Sequence, residues 1–125
     1  MEEAFSFQKL RVYKESCSLV KDVYILLKKF PKEETYALCD QLRRAAVSVP
    51  SNIAEGMGRV SDKEKAHFIE IAFGSLMETL CQIDIARELD YINEEEHKRI
   101  TEKVHAVSRM LSGLHSSLNG NNVKR

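Results

Sequence analysis

Two Glu-x-x-His motifs contain the residues of this sequence most able to bind a metal ion. Glu64 precedes His67 and Glu94 precedes His97, and this spacing places both side chains on one face of a helix. Four-helix bundles that hold two metal ions use this motif on two helices, together with two further glutamates. Here both motifs fall in the first turn of consecutive antiparallel predicted helices, so they lie at opposite ends. We therefore expect no metal site and no cofactor.

The other nucleophiles and histidines do not form a catalytic motif. The sequence has no G-x-S-x-G turn, and the spacing places no fixed acidic neighbour beside His105 or His115. Gly56-Met57-Gly58-Arg59 is similar to a phosphate-binding nest. However, it follows a predicted helix and lacks the Lys-Ser/Thr pair of a P-loop. We expect a helix–helix turn there and a protein that is not an enzyme.

Cysteine content and charge exclude several classes of protein. Cys17, Cys39 and Cys81 are widely spaced, and the N-terminus is acidic and unlike a secretory signal. These features favour buried, reduced thiols and a cytoplasmic protein. The 19 basic residues balance the 19 acidic residues, so no net field attracts nucleic acid or a membrane surface. No apolar run approaches the roughly 18 residues that a membrane span needs.

Apolar residues recur with the 3.6-residue helical period along almost the whole chain, and strand signals are absent. The predicted helices cover residues 8–29, 33–55, 62–89 and 94–118. Short connections between four helices predict an all-α, antiparallel up-down-up-down four-helix bundle. A chain of 125 residues has room for one domain, which we place at residues 1–118, followed by a flexible tail at 119–125.

Several residues mark where these helices end or bend. Gly56 and Gly58 end the second helix, because glycine tolerates left-handed backbone geometry. Ser61, in a capping box, precedes the third helix and Asn93 precedes the fourth. Pro50 lies inside the second apolar pattern and removes one helical hydrogen bond, which predicts a kink or a short break around it.

The predicted helices carry more apolar surface than one bundle needs. The third helix has a main apolar seam, formed by Phe68, Ala72, Phe73, Leu76, Leu80 and Ile83. It also has a second apolar stripe on the opposite side, with a glutamate in it, and the second helix has an outer apolar stripe beside an arginine. Such patches mark interaction surfaces in soluble proteins. The candidate interface residues are Tyr36, Arg43, Val47, Ile71, Glu78, Ile85 and Leu89.

Charge is distributed so that different helices complement one another. Residues 1–32 carry 7 basic and 4 acidic side chains, whereas residues 60–90 carry 3 basic and 7 acidic side chains. A basic first helix and an acidic third helix favour a head-to-tail contact between copies, which closes into a ring when its rotation permits. We therefore expect a homo-oligomer that serves as a binding or scaffold protein.

Nucleic-acid binding is the alternative function. Phosphate contacts need cations, although the sequence contains no recognised DNA- or RNA-reading motif. An oligomer would concentrate its cations on one surface and bind structured RNA or DNA through many weak contacts. The candidate residues are Lys14, Lys21, Lys28, Arg43, Arg44, Arg59, Lys63 and Lys65.

One long motif is distinctive. The stretch QLRRAAVSVPSNIAEG at residues 41–56, with the later Gly74-Ser75-Leu76, resembles the four-helix bundle family encoded in intervening sequences of 23S ribosomal RNA genes. The resemblance covers about residues 7–115. The accessory variability proteins of diversity-generating retroelements belong to the same group, and they are basic pentamers that work with a reverse transcriptase and RNA.

The resemblance implies a bacterial, cytoplasmic, non-enzymatic bundle that forms a homopentameric ring. Its partners would be nucleic acid or a nucleic-acid-processing protein. Charged positions of the family pattern are matched by Arg43, Arg44, Glu55, Arg59 and Glu78, which the resemblance implies as intersubunit pairs or as a polar surface. The sequence departs from the pattern at Phe73 and Leu80, which replace polar residues, and at Asp90, which replaces a frequent glycine.

Overall fold

Four helices make up the structure, a computed structural model that describes residues 5–119. The helices are α1 (Arg11–Leu27), α2 (Leu38–Met57), α3 (Asp62–Glu88) and α4 (Glu94–Asn119). Each helix packs against the next along the chain and α1 also packs against α4, while the backbones of the diagonal pairs do not approach one another within the described range. The predicted all-α four-helix bundle is therefore confirmed. Of the tail predicted at 119–125, Asn119 ends α4 and residues 120–125 lie outside the described residues.

The first two helices are shorter than the apolar pattern predicted. Leu10 is extended (φ −67°, ψ 132°) and separates a 3₁₀ turn at Ser6–Lys9 from α1. After α1, a second 3₁₀ turn at Lys32–Glu34 delays the start of α2 to Leu38. The Glu34 carboxylate accepts the Leu38 N–H at 3.3 Å, which satisfies one of the backbone donors at the start of α2.

The core lies between the four apolar faces. On α4 the helical period predicts a seam of six apolar residues, of which Leu114 and Leu118 are half-buried and the other four are buried: Ile100, Val104, Val107 and Leu111. On α3 the main seam is only partly as predicted, because three of its members are half-buried: Phe68, Phe73 and Leu80. Ile69 is buried in their place, together with two polar residues that face α2, Thr79 and Gln82.

Close packing between α2 and α3 depends on small and polar residues. Helix α2 continues through Pro50 even though proline has no N–H to donate, so the predicted short break does not form. Across the seam, the Ser48 and Ser75 hydroxyls are 2.8 Å apart. Gly56 lies inside α2, and a Cβ there would be 2.7 Å from the Cβ of Phe68. The prediction that Gly56 adopts left-handed geometry was wrong, since no described glycine has positive φ. The absence of a side chain at Gly56 instead allows α2 and α3 to pack closely.

The connection from α3 to α4 is held by two well-formed caps. Alone among the described residues, Asp90 has a positive φ, of 63°. The Tyr91 N–H donates to the Ala86 carbonyl at 2.9 Å and the Asp90 N–H donates to the Arg87 carbonyl at 3.0 Å, which forms a Schellman motif. At the start of α4, the Asn93 side chain accepts the Glu96 N–H at 2.8 Å, as predicted.

None of the helices described in residues 5–119 is long and apolar enough to cross a lipid bilayer.

Candidate functional site

The outer edge of α3 that faces α2 forms an exposed ridge. We define the α3 ridge as Ile71, Glu78, Ile85 and Leu89. Its three apolar side chains are between 38% and 49% exposed. Ile71, Glu78 and Ile85 lie three or four positions from Ser75 or Gln82, which bond across to α2. Leu89 lies seven positions after Gln82, in the same stripe of the helix. The ridge therefore runs along the solvent side of the α2–α3 seam, away from the core.

The centre of the α3 ridge is polar. The Gln82 amide nitrogen donates to the Glu78 carboxylate at 3.3 Å and to the Gln41 amide oxygen at 3.5 Å. Gln82 is only 5% exposed, and its own amide oxygen has no hydrogen-bond donor in the described part of the chain. Within residues 5–119, Glu78 forms no ion pair.

A groove between α1 and α2 brings apolar and basic side chains together. We define the α1–α2 groove by its lining residues, which enclose about 390 Å³: Tyr24, Asp40, Arg43, Arg44, Val47 and Ser48. Tyr24 and Val47 are exposed and form apolar walls. The groove therefore combines cationic side chains with apolar surface, whereas the charged residue of the α3 ridge is an anion.

The arginines of α2 differ in how firmly they are held. Arg43 Nη2 lies 3.6 Å from an Asp40 carboxylate oxygen and donates to the Thr35 carbonyl at 3.5 Å, both long contacts. Arg44 Nε donates to the other Asp40 oxygen at 3.2 Å. Arg59, after α2, has a firmer partner, because its Nη2 donates to Glu55 at 2.7 Å. Its guanidinium also lies 4.6 Å from the ring centre of Phe68.

The structure groups some of the predicted interface residues and separates others. Arg43 and Val47 share the α1–α2 groove, and the four candidates from the third helix form the α3 ridge. Tyr36 lies in neither surface: it precedes α2 instead of belonging to it, and it is 92% exposed. Helical periodicity did not predict that Tyr24 would form a wall of the groove or that Gln82 would be a buried polar residue. Helical spacing does not show which neighbouring helix a side chain contacts.

The candidate nucleic-acid residues occupy three separate places. Lys14, Lys21 and Lys28 lie on the exposed side of α1, and Arg43 and Arg44 lie in the α1–α2 groove. The remaining candidates lie at the α2–α3 turn: Arg59, Lys63 and Lys65. A depression at the start of α3 contains the side chains of Arg59 and Lys63. A single copy thus has several small groups of cations instead of one basic surface.

Two histidines bind carboxylates and tie α4 to α3. His97 Nε2 lies 2.7 Å from an Asp84 oxygen, and His115 Nε2 lies 2.8 Å from a Glu70 oxygen. The expectation that His115 lacks an acidic neighbour was wrong, because that neighbour comes from another helix. Across residues 5–119, no three side chains of His, Cys, Asp or Glu cluster in a way that could hold a metal ion.

The three thiols lie in different environments. Cys39 is buried, and burial raises the pKa of its thiol. Cys17 is half-buried, and the hydrogen bond it shares with Tyr13 raises the pKa of that phenol. Cys81 is exposed, so the expectation of three buried thiols was wrong. Cys81 follows Glu78 by one helical turn and lies beside the α3 ridge.

The bundle is similar in fold to a solved structure from the S23 ribosomal protein family. That crystal structure, of a protein of unknown function from Bacteroides thetaiotaomicron, superposes with a TM-score of 0.77 at 20% sequence identity. The similarity covers 83% of this chain and 97% of the other, and it establishes the fold alone. No curated protein matches the sequence.

The family of the chain follows from its sequence. Residues 8–113 match the family described as 23S rRNA-intervening sequence protein. These residues include all of α1, α2 and α3, both surfaces defined above and the buried seam of α4. Since the match spans most of the chain and agrees with the resemblance of the 41–56 motif, the chain belongs to the 23S rRNA-intervening sequence protein family.

Proposed function

We propose that the chain is a non-enzymatic binding or scaffold protein that works as a homo-oligomer. In the proposed contact, the α3 ridge of one copy packs into the α1–α2 groove of the next. The observation that carries this proposal is the α3 ridge itself, which exposes three large apolar side chains around a glutamate that forms no ion pair among residues 5–119. Exposed apolar patches of this kind mark interaction surfaces in soluble proteins.

The two surfaces are complementary in chemistry. Ile71 and Ile85 would cover the apolar walls of the groove, and Glu78 would meet its arginines. Burying an ion pair requires removing water from both charges, so the pair adds little net affinity. It does penalise any other alignment of the two helices, because a displaced copy would leave a charge unpaired. The apolar contact would therefore provide the affinity and Glu78 the register.

The positions of the two surfaces favour a ring. The α3 ridge lies along the α2–α3 seam and the groove lies along the α1–α2 seam, so they occupy adjacent sides of the bundle. A contact between two different surfaces is head-to-tail and closes when its rotation divides a full turn. Adjacent sides of a four-helix bundle differ in direction by about a right angle, which favours about four or five copies. We propose five, as the family resemblance implies.

The test is the particle mass in solution, measured by light scattering coupled to size-exclusion chromatography. The native chain is expected as an oligomer, and Glu78→Arg is expected to shift it toward a 14.3 kDa monomer. Glu102→Arg, an exposed charge reversal on α4 outside both surfaces, is the matched control and should leave the mass unchanged. A native chain that is monomeric at working concentrations would overturn the proposal.

A second candidate function is nucleic-acid binding by the assembled ring. The observation that favours it is the pairing of Arg59 and Lys63 in one depression at the start of α3, where the helix dipole also attracts phosphate. Repetition of this depression around a ring would multiply weak contacts. The existing ion pairs of Arg43, Arg44 and Arg59 would compete with phosphate.

Gel shifts with a structured RNA, at about 50 and 200 mM salt, test this second function. Binding is expected to weaken steeply at the higher salt concentration, and the combined change of Arg59 and Lys63 to alanine should abolish it. The variant must retain the native mass, so that loss of RNA binding is not a loss of assembly. Absence of a shift at low salt would eliminate nucleic-acid binding.

A further inference from the structure

The polar cluster at the centre of the α3 ridge is incomplete within one chain. Gln41, Glu78 and Gln82 present two amide oxygens and a carboxylate to the seam, while the Gln82 amide nitrogen is the donor that joins them. Both of its hydrogen bonds are long, at 3.3 and 3.5 Å. The amide oxygen of Gln82 is buried without any donor among the described residues. Gln82 itself is enclosed by the chain, whereas Gln41 and Glu78 are exposed. The acceptors that a donor from outside can reach are therefore the Glu78 carboxylate and the Gln41 amide oxygen.

The missing donor must supply several N–H groups in one plane. A guanidinium has five N–H donors in a fixed fork that matches a carboxylate and has donors left for neighbouring oxygens. An ammonium group concentrates its charge at one point and cannot span the carboxylate and the amides in the same way. The chemistry of the cluster therefore selects an arginine.

We infer that Arg43 of a second copy completes the Gln41–Glu78–Gln82 cluster. This inference rests on the proposed function, and it names the residue on which the contact depends. The guanidinium of Arg43 binds the Glu78 carboxylate and donates to the exposed Gln41 amide oxygen beside it. The Glu78 carboxylate then has a charged partner, and the guanidinium gains firm partners in place of its long contacts at 3.5 and 3.6 Å.

The two other arginines of this region fit the cluster less well. The Arg44 side chain is 80% exposed, against 33% for Arg43, so binding would remove more of its surface from water, and its 3.2 Å contact with Asp40 is shorter than either contact of Arg43. Arg59 is already bound to Glu55 and packed over Phe68. Arg43 alone combines a partly ordered side chain, weak existing contacts and a place between the apolar walls of the groove.

Charge reversal at Arg43 tests the inference. Arg43→Glu is expected to dissociate the oligomer, whereas Arg109→Glu, an exposed charge reversal on α4 outside both surfaces, should retain the native mass. Circular dichroism and thermal melting confirm that both variants fold. Native mass for Arg43→Glu, or equal dissociation by both variants, would overturn the assignment. A monomeric native chain would instead refute the proposed function, so the two failures are distinguishable.

Mixing variants provides a test that does not depend on the stability of one variant. Equal amounts of Glu78→Arg and Arg43→Glu are expected to associate, although each is expected to be monomeric alone. In an alternating arrangement, one contact has the native pair and the next has the same pair with its charges exchanged. Two variants cannot alternate around a ring of five, so the expected products are open chains or even-numbered rings. A mixture that remains monomeric, with both variants folded, contradicts a direct contact between these residues.

The contribution of the amide is tested separately. Gln82→Met keeps the length of the side chain and removes its hydrogen-bonding groups. The dissociation constant of the oligomer is expected to rise about tenfold, which is the effect of losing one hydrogen bond to a charged group. An unchanged dissociation constant would show that Arg43 binds Glu78 without the amide, which overturns the proposed three-residue cluster.

Discussion

Helices α3 and α4 are neighbours of similar length, yet they use their apolar residues in opposite ways. On α4 the large apolar side chains point inward, and within residues 5–119 none of the exposed ones belongs to it. On α3 the inner face is buried through residues such as Leu76 and Ile83, while Ile71 and Ile85 are exposed on the outer face. The apolar side chains of α4 pack within a single bundle, whereas α3 keeps a second apolar face that no helix of the same chain covers within residues 5–119.

The difference shows which apolar residues stabilise the fold and which serve another purpose. The outer face of α3 also contains Gly74, an exposed glycine in the middle of a helix. A Cβ added there would meet nothing within 4 Å, so packing inside the chain does not explain it. Glycine in a helix interior lowers stability by roughly 1 kcal/mol relative to alanine. We therefore expect substitutions on the two faces of α3 to have different consequences.

The largest expected effect is on the inner face. Leu76→Ala is expected to lower the free energy of unfolding by about 3 kcal/mol, because Leu76 is fully buried and its truncation leaves a cavity. Val107→Ala, at a buried position of α4, should lower it by about 2 kcal/mol. Urea denaturation followed by circular dichroism measures both. A loss below about 1 kcal/mol for Leu76→Ala would show that its side of α3 is not core.

An interaction at the start of α4 is expected to make a pH-dependent contribution of intermediate size to the free energy of unfolding. Hydrogen bonds from the Lys29 side chain and the Asn93 N–H lower the pKa of Glu96. The folded state therefore favours the ionised carboxylate, so its contribution is present above the ordinary pKa of glutamate and is lost as pH falls through the lowered value. Glu96→Gln is expected to lower the free energy of unfolding at pH 7 by about 1 kcal/mol.

The matched measurement is the same pair of denaturation curves near pH 3. The difference between the native chain and Glu96→Gln should shrink there, since the glutamate is becoming neutral in both states. Glu95→Gln, in the same first turn but exposed, is the control and should change the free energy of unfolding less. A difference between the native chain and Glu96→Gln that does not vary with pH would contradict the ionised interaction.

A substitution at the end of α3 is expected to have a smaller effect, which raises the free energy of unfolding instead of lowering it. Asp90 adopts left-handed backbone geometry (φ 63°), which glycine adopts without steric strain. Asp90→Gly is expected to raise the free energy of unfolding by about 0.5–1 kcal/mol, even though it removes the exposed ion pair with Arg87. Asp90→Ala tests the same geometry in reverse and should be less stable than Asp90→Gly. Thermal denaturation can rank the three chains.

The smallest effect on stability is expected on the outer face of α3. In a Glu78→Arg background, which is expected to be monomeric, Ile85→Ser should change the free energy of unfolding by less than about 0.5 kcal/mol. In the native background the same substitution should reduce the particle mass. A loss of several kcal/mol in the monomeric background would mean that Ile85 stabilises the fold itself, which would remove the contrast between the two faces.

The local sequence predicted most of the fold, because helical period and caps depend on neighbouring residues. The buried seam of α4 and the Asn93 cap could be read directly from residues three and four positions apart. The helix boundaries were less predictable where a side chain binds a backbone group, as the Glu34 carboxylate does with the Leu38 N–H. The packing role of Gly56 could not be predicted, since the residue that requires it, Phe68, lies on another helix.

Sequence alone determined the four helices, their antiparallel order, the family of the chain and the excess of apolar surface, because all of these follow from residue types and their spacing. Tertiary structure decided which surfaces that excess forms. It placed Arg43 beside Tyr24, Gln41 beside the buried amide of Gln82, and Glu70 beside His115. These pairs join residues far apart in the chain, and the packing of whole helices against one another sets their separation.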